Sequence, residues 1–370
     1  MAPARIGSRF LPLGSILDRY LAAAFLRIFF ASLAFITALF VTVEFFDRIG
    51  TLFDSGAPAL TLLRYFFYKA PLLISRVIGF ATLFSTLFSL GMLARSHEIT
   101  AMRSSGISVQ RLALPLFLLG MTICALTFVW NESLVPVFAH RAQTIYRTEI
   151  KHKQQKSLLG TNDIWIRGEN SFINVDRFDT RTNILENITV FRLDRNFSLT
   201  GLVEIPHARW RGDGWEFSQA VEWELRGDGT TLRRQGATAL PLSETPDDLK
   251  LLARDSEEFS YFELQKQIAD LKSKGIDTTS YEVGLQTKLA FPLISPLMVL
   301  IAIPFALRRQ LTGNISLSFG VAMLIAFGYW VLSGFCISLG QSGALPSWAA
   351  GWIPNAIFTL IGLYFFTAEE

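Results

Sequence analysis

LAAAFLRIFFASLAFITALFVTVEFF, residues 21 to 46, holds one Arg and one Glu in 26 positions. Roughly 20 mainly apolar residues cross hydrocarbon as a helix, and lipid leaves a single segment no other way to satisfy its own backbone. The run is too long for the apolar core of a secretory leader and has no A-x-A cleavage pattern, so it reads as a retained span. Outward from it, five more runs pass the same test, near residues 64–94, 110–135, 286–307, 314–340 and 347–367. The first of these five is long enough to tilt or project.

Between the third and fourth runs the material changes. Residues 136–285 hold 20 of the 34 Lys and Arg and 23 of the 31 Asp and Glu, leaving 22 charges for the other 220 residues. The chain as a whole is 51% hydrophobic and has 32 Phe, too apolar for one soluble core. A cytosolic enzyme, a fibrous protein and a disordered protein are therefore excluded. Cys124 and Cys336 both lie in apolar runs, which removes a disulfide scaffold and a Cys-based metal site.

Positive charge sets direction. Arg5, Arg9 and Arg19 precede the first span, Arg95, Arg103 and Arg111 fall between the second and third, and Arg308 and Arg309 follow the fourth. These stretches are expected to be cytoplasmic, with both termini on that side and the charged middle on the other. The fold class is thus an α-helical polytopic membrane protein of six transmembrane helices with an inserted extracytoplasmic antiparallel β-jellyroll domain. Spans one to three occupy residues 1–135, the domain and its flanking helices 136–285, and spans four to six 286–370.

Within the domain, Val221, Trp223 and Leu225 alternate with Glu222, Glu224 and Arg226, the pattern of a half-buried strand. Arg-Gly-Asp-Gly at 211–214 and again at 226–229 supplies hairpin turns on either side of it. Apolar runs at 164–166, 172–175, 188–193 and 202–205 extend the pattern to an antiparallel sandwich or jelly roll. Ser260-Tyr261-Phe262-Glu263 is a capping box opening a helix with Leu264, Ile268 and Leu271 on one face and Gly275 as its stop. Pro292, Pro296 and Pro304 in the fourth span remove backbone donors and favour kinks.

No G-x-x-x-x-G-K-[ST] phosphate loop, H-E-x-x-H or G-x-S-x-G occurs, so catalytic, metal-ligating and cofactor-binding residues are not expected, nor is a nucleic-acid partner. Transport driven from outside the chain fits better. The stretch Gly91-Met92-Leu93-Ala94-Arg95-Ser96-His97-Glu98-Ile99-Thr100-Ala101-Met102-Arg103-Ser104-Ser105-Gly106 supplies what an external motor needs. It suits a short helix at about 95–107 on the membrane surface, with Ile99, Ala101 and Met102 as apolar contacts, Glu98 as a charge for a partner and Gly106 as its end. Charge and spacing alone also fit a solvated loop.

The Gly-Met-Leu-Ala-x-x-x-Glu-x-x-x-Met-x-x-x-Gly pattern from Gly91 to Gly106 resembles the coupling helix of the LptF/LptG permeases of the lipopolysaccharide exporter. Leu17-Asp18-Arg19-Tyr20-Leu21, Asp163-Ile164-Trp165-Ile166-Arg167 and Phe172-Ile173-Asn174-Val175 are similar to that family too, and the first two lean to its LptG branch. The resemblance implies an ABC transporter permease of the bacterial inner membrane, a non-enzyme that extracts lipopolysaccharide and hands it to a periplasmic bridge. Its implied partners are an LptF-like permease, an LptB-like ATPase dimer, an LptC-like anchor and an LptA-like bridge, with spans one and five as lateral gates. Glu98, Ile99, Met102, Arg103 and Gly106 would couple to the ATPase.

Charges at lipid depth face a cavity, a partner or the interface. Arg48, Lys69 and Arg76, with Arg141 and Arg147 beyond the third span, are the candidates for pairing with lipid A phosphates. The same cations fit a structural account, in which Glu44 or Asp47 neutralises Arg48 or Arg76 while Lys69 and Arg64 snorkel. Glu44 departs from the family pattern, which is basic there. Two other functions remain open on residues alone. A lipoprotein-release-type permease would carry four spans with the domain after the first, and a lipid-modifying enzyme would need Glu44 or Glu132 paired with a second group that spacing does not identify.

Overall fold

The computed structural model describes residues 16–50, 58–151, 161–167, 171–179, 182–194, 198–212, 214–225, 231–236, 245–246, 256–273, 277–307 and 315–368. In chain order the elements are α1 (Ile16–Asp47), α2 (Ala59–Arg95), α3 (Glu98–Ser104), α4 (Val109–Ser133) and α5 (Val135–Ile145), running into a π-helical stretch, Tyr146–Lys151. Among the described residues seven strands follow: β1 (Thr161–Arg167), β2 (Ser171–Asp179), β3 (Ile184–Leu193), β4 (Leu199–Trp210), β5 (Trp215–Phe217), β6 (Ala220–Leu225) and β7 (Thr231–Gly236). The chain then returns through α6 (Tyr261–Ser273), α7 (Thr279–Ala290), α8 (Ile294–Leu307), α9 (Ile315–Gln341) and α10 (Ser347–Ala368). Among the described residues five helices, α1, α2, α4, α9 and α10, are long and apolar enough to cross a membrane. The α7–α8 pair, bent by 52°, makes a sixth when counted as one span.

The chain divides into two compact units, Met1–Asp47 with Lys69–Val135 and Gln286–Glu370, and Arg48–Tyr68 with Pro136–Leu285. At the centre of the first lies α8. Ile294, Met298, Val299, Ile301 and Ala302 are each at most 2% exposed, as a helix apolar on every side must be. Its neighbours close in through small residues, the usual way helices meet where lipid tails give no net hydrophobic drive. A Cβ on Gly79 of α2 would stand 2.4 Å from Ile294 Cγ2, and one on Gly120 of α4 3.1 Å from Pro296 Cα. Gly79→Leu is therefore expected to cost about 1–3 kcal/mol of stability by overpacking. Gly91→Ala, where a Cβ meets nothing within 4 Å, is expected to be neutral or slightly stabilising. Thermal unfolding in detergent checks the contrast.

Of the three prolines expected to kink this span, Pro292 sits in the turn that separates α7 from α8. Pro296 lies in the first turn of α8, where an N–H would have no helical acceptor anyway, and Pro304 is carried inside the helix. At the break, the Ile294 amide donates to the Phe291 carbonyl (3.0 Å) rather than four residues back to Ala290. Asn355 of α10 takes that place: its Nδ2 donates to the Ala290 carbonyl at 2.7 Å, while the Tyr329 hydroxyl donates to Asn355 Oδ1 at 2.7 Å.

In the second unit the strands form one antiparallel sheet in the order β1-β2-β3-β4-β6-β7, with β5 paired to β4. The Arg-Gly-Asp-Gly stretch at 211–214 does join a hairpin, β4 to β5, with Gly212 at φ +95°, a backbone conformation that favours glycine. β6 and β7 also pair as a hairpin, whose turn at 226–230 lies outside the described residues. Among the described residues the strands make this one sheet, an antiparallel β domain without the second sheet that a jelly roll was expected to add. Its core is Ile173 and Val175 of β2, Ile188 and Val190 of β3, and Val203 and Ile205 of β4.

The alternation read over 221–226 overlaps β6 at Ala220–Leu225, but its apolar side is not the one that faces the core. Directly paired residues share a face of the sheet, and Val203, fully buried, stands opposite Glu222, whereas Trp223 stands opposite Leu202. Glu222 thus lies on the core face, where Arg192 pairs with it, and Trp223 on the other, its Nε1 donating to Glu204 at 3.4 Å.

The capping box before α6 is closed as expected. The Ser260 amide donates to Glu263 Oε2 at 3.0 Å and the Glu263 amide to Ser260 Oγ at 3.2 Å. Leu264 and Ile268 are buried on the face so opened, beside Phe259, Tyr281 and Leu285. The helix ends at Ser273, and its expected stop, Gly275, lies outside the described residues.

Candidate functional site

α3 has seven residues, too few to hold a helix by hydrogen bonding alone. It is set by its ends and by packing. His97 enters it at φ 61° and Gly106 leaves it at φ +86°, after which Ser108 caps α4 by accepting from the Arg111 amide at 3.3 Å. Ile99 is 4% exposed and belongs to the span core, with Met102 packed against it. These two anchor the helix inward. Thr100, Ala101, Arg103, Ser104 and Ser105 form the exposed face.

Glu98 opens α3 and is held from two sides. Tyr20 Oη donates to its Oε2 at 2.8 Å and Ser96 Oγ to its Oε1 at 2.7 Å. The Ser96 hydroxyl first, and the Tyr20 phenol second, hold the Glu98 carboxyl below the usual carboxylate range. Two residues away from Tyr20, Asp18 receives Arg111 in a two-pronged ion pair, Nη1 to Oδ1 at 2.6 Å and Nη2 to Oδ2 at 3.0 Å, with both side chains 10% exposed. The sequence reading missed Asp18, Ser96, Tyr20 and Arg111 as site residues. Leu17-Asp18-Arg19-Tyr20 stood out as a motif, but nothing in its spacing names partners 78 and 93 residues away.

The five cations expected at the lipid fall into different surroundings. Lys69 of α2 pairs with Glu44 of α1, and the two side chains are 11% and 17% exposed. Arg76 is exposed on α2. In the other unit, the Arg48 guanidinium lies 4.6 Å from the Tyr146 ring centre and 6.0 Å from that of Tyr65, and those two rings are 5.8 Å apart. Arg141 lies 5.7 Å over Tyr68, whose ring leans on Phe138. Arg147 falls in the π-helical stretch; its side chain is outside the described part. Cation–π attraction holds the Arg48 and Arg141 guanidinium groups beside these rings. Arg64, 3.9 Å from Glu149, completes the charged margin of this aromatic group.

The chain is similar to known proteins along almost their whole length. It is 24% identical over 359 residues to the lipopolysaccharide export system permease protein LptG of Escherichia coli strain K12, covering 94% of this chain and 97% of that protein. It is 23% identical to LptG of Haemophilus influenzae, covering 93% and 96%. The family model described as lipopolysaccharide export system permease LptF/LptG matches residues 19–368, and the chain belongs to that family.

Proposed function

We propose that this chain is a six-span permease subunit that draws lipopolysaccharide out of the bacterial inner membrane and passes it to a periplasmic bridge, powered by a separate ATPase. The match over residues 19–368 supports that reading. The α7–α8 pair is counted as the fourth span, and the sheet of residues 136–285 as the wall of a periplasmic jelly roll. Both termini and α3 are on the cytoplasmic side. An LptF-like permease completes the lipid cavity with lateral gates at spans one and five, an LptB-like ATPase dimer docks on α3, and an LptC-like anchor and LptA-like bridge receive the cargo. Arg48 and Arg141, with Arg76 and Arg147, meet lipid A phosphates; Lys69 is kept for Glu44.

On α3, Glu98 and the exposed Arg103 meet the ATPase, Ile99 and Met102 hold the helix to its own bundle, and Gly106 turns the chain away. The test is affinity purification from mild detergent followed by reconstitution. Recovery of a nucleotide-hydrolysing subunit and a second six-span protein is expected. Glu98→Arg is expected to lower the recovered ATPase by about tenfold, a like-charge and lost-bond effect of roughly 1.4 kcal/mol, and Glu98→Ala by less. Full recovery and full transport in both variants would remove Glu98 from the contact.

A further inference from the structure

The Leu17-Asp18-Arg19-Tyr20 stretch carries two side chains that reach the segment joining α2 to α4 and land on both of its ends. Tyr20 holds Glu98, the first residue of α3, and Asp18 holds Arg111 in the first turn of α4. One turn of α1 therefore brackets α3. The two contacts differ in kind. Arg111 sits at the positive end of the α4 dipole, an unfavourable place for a cation, and Asp18 sits in the first turn of α1, a favourable place for an anion. Both are nine-tenths buried, so the pair resists parting far more than a surface ion pair would. Tyr20 and Glu98 meet on the exposed side through one hydrogen bond, which opens at much lower cost.

Beyond this point α1 is held by the partly buried Leu33 and Ile36 and, near its far end, by the Glu44–Lys69 pair. Its buried residues, Asp18, Leu21, Phe25 and Phe29, all lie in the lower half, while Phe30, Phe35, Leu39, Val43 and Phe46 are exposed. The deepest packing of α1 thus lies beside the Asp18 and Tyr20 contacts, so a displacement of α3 reaches the buried end of α1 first. We propose that Asp18 with Arg111 and Tyr20 with Glu98 form a latch that ties the foot of α1 to the start of α4 and to α3, so that a push on α3 is delivered to α1. Asp18 and Arg111 act as the fixed pivot and Tyr20 as the releasable arm. All of them are positioning residues. The delivery of motor work rests on α3 being the ATPase contact, whereas the tie between α1 and α3 does not.

The experiment has two readouts. Spin labels at Phe30→Cys and Ala101→Cys, both exposed, report the α1–α3 distance in the detergent-purified chain. A narrow distribution is expected, broadened by Arg111→Asp and by Asp18→Arg and narrowed again by the two together. An unchanged distribution in both single variants, or a swap no narrower than either, overturns the latch whatever the ATPase does. In the reconstituted complex, Arg111→Asp and Tyr20→Phe are expected to keep the ATPase bound while lipid released per ATP hydrolysed falls by about tenfold, the scale of a typical coupling between sites. The charge swap is expected to restore much of the Arg111→Asp loss, which a merely damaged fold would not do. Wild-type yield per ATP in both single variants overturns the coupling role, and should Arg111→Asp fail to assemble, Tyr20→Phe, which removes one hydroxyl, decides it. Failure of the wild-type chain to capture any ATPase counts against the α3 contact, and with it the delivery step, while the label distances still judge the tie.

Discussion

Lys69→Met with Glu44 left in place is expected to lower the stability of the detergent-solubilised chain by about 3–5 kcal/mol, because it takes the lysine cation away from a carboxylate that is only 17% exposed. Lys69→Met combined with Glu44→Leu is expected to recover most of that loss, since two apolar side chains of similar volume carry no desolvation cost. Thermal unfolding midpoints of the two single variants and the double variant give the comparison. The same variants separate the two accounts of the cations. If Lys69 serves its carboxylate, lipopolysaccharide crosslinking survives in the double variant and falls with Arg48→Glu, whose parent side chain lies over Tyr146 and Tyr65. Loss of crosslinking in the double variant, with an unchanged midpoint in Lys69→Met, would return Lys69 to the lipid.

Apolar run length fixes helices well because a span is a local property: α1, α2, α4, α9 and α10 lie within a few residues of the expected limits. The 260–263 capping box is equally local and closes as read. What sequence spacing did not convey was pairing between distant segments. Glu44 looked anomalous among expected basic positions until Lys69, 25 residues on, stood against it. Asp18 and Arg111 were read only as a motif letter and a topology signal, though together they close an ion pair. The buried face of β6 could not be chosen from its own alternation, since Trp223 is the more apolar residue and Glu222 the one that meets Arg192 beside the core. Period-two patterning identifies a strand and leaves its partner to decide which side is inside.

The break in the fourth span shows the same dependence on a distant residue and carries the second large effect. Asn355→Leu is expected to destabilise the chain by about 2–5 kcal/mol, since it strands two buried groups, the Ala290 carbonyl and the Tyr329 hydroxyl, each worth roughly 1–3 kcal/mol when left unmade. Tyr329→Phe is expected to cost only about 0.6–1.7 kcal/mol, the range for one hydrogen bond between membrane helices, because Asn355 still reaches Ala290. Equal losses in the two variants would mean that the carbonyl does not depend on Asn355. A third variant tests why the asparagine is there at all. Pro292→Ala returns a donor to the turn and lets α7 run on toward α8, so the Ile294 amide can bond four residues back to Ala290 instead of to Phe291. In that background Asn355→Leu is expected to cost less than it does alone, and an undiminished cost would show that Asn355 braces α10 rather than the broken backbone.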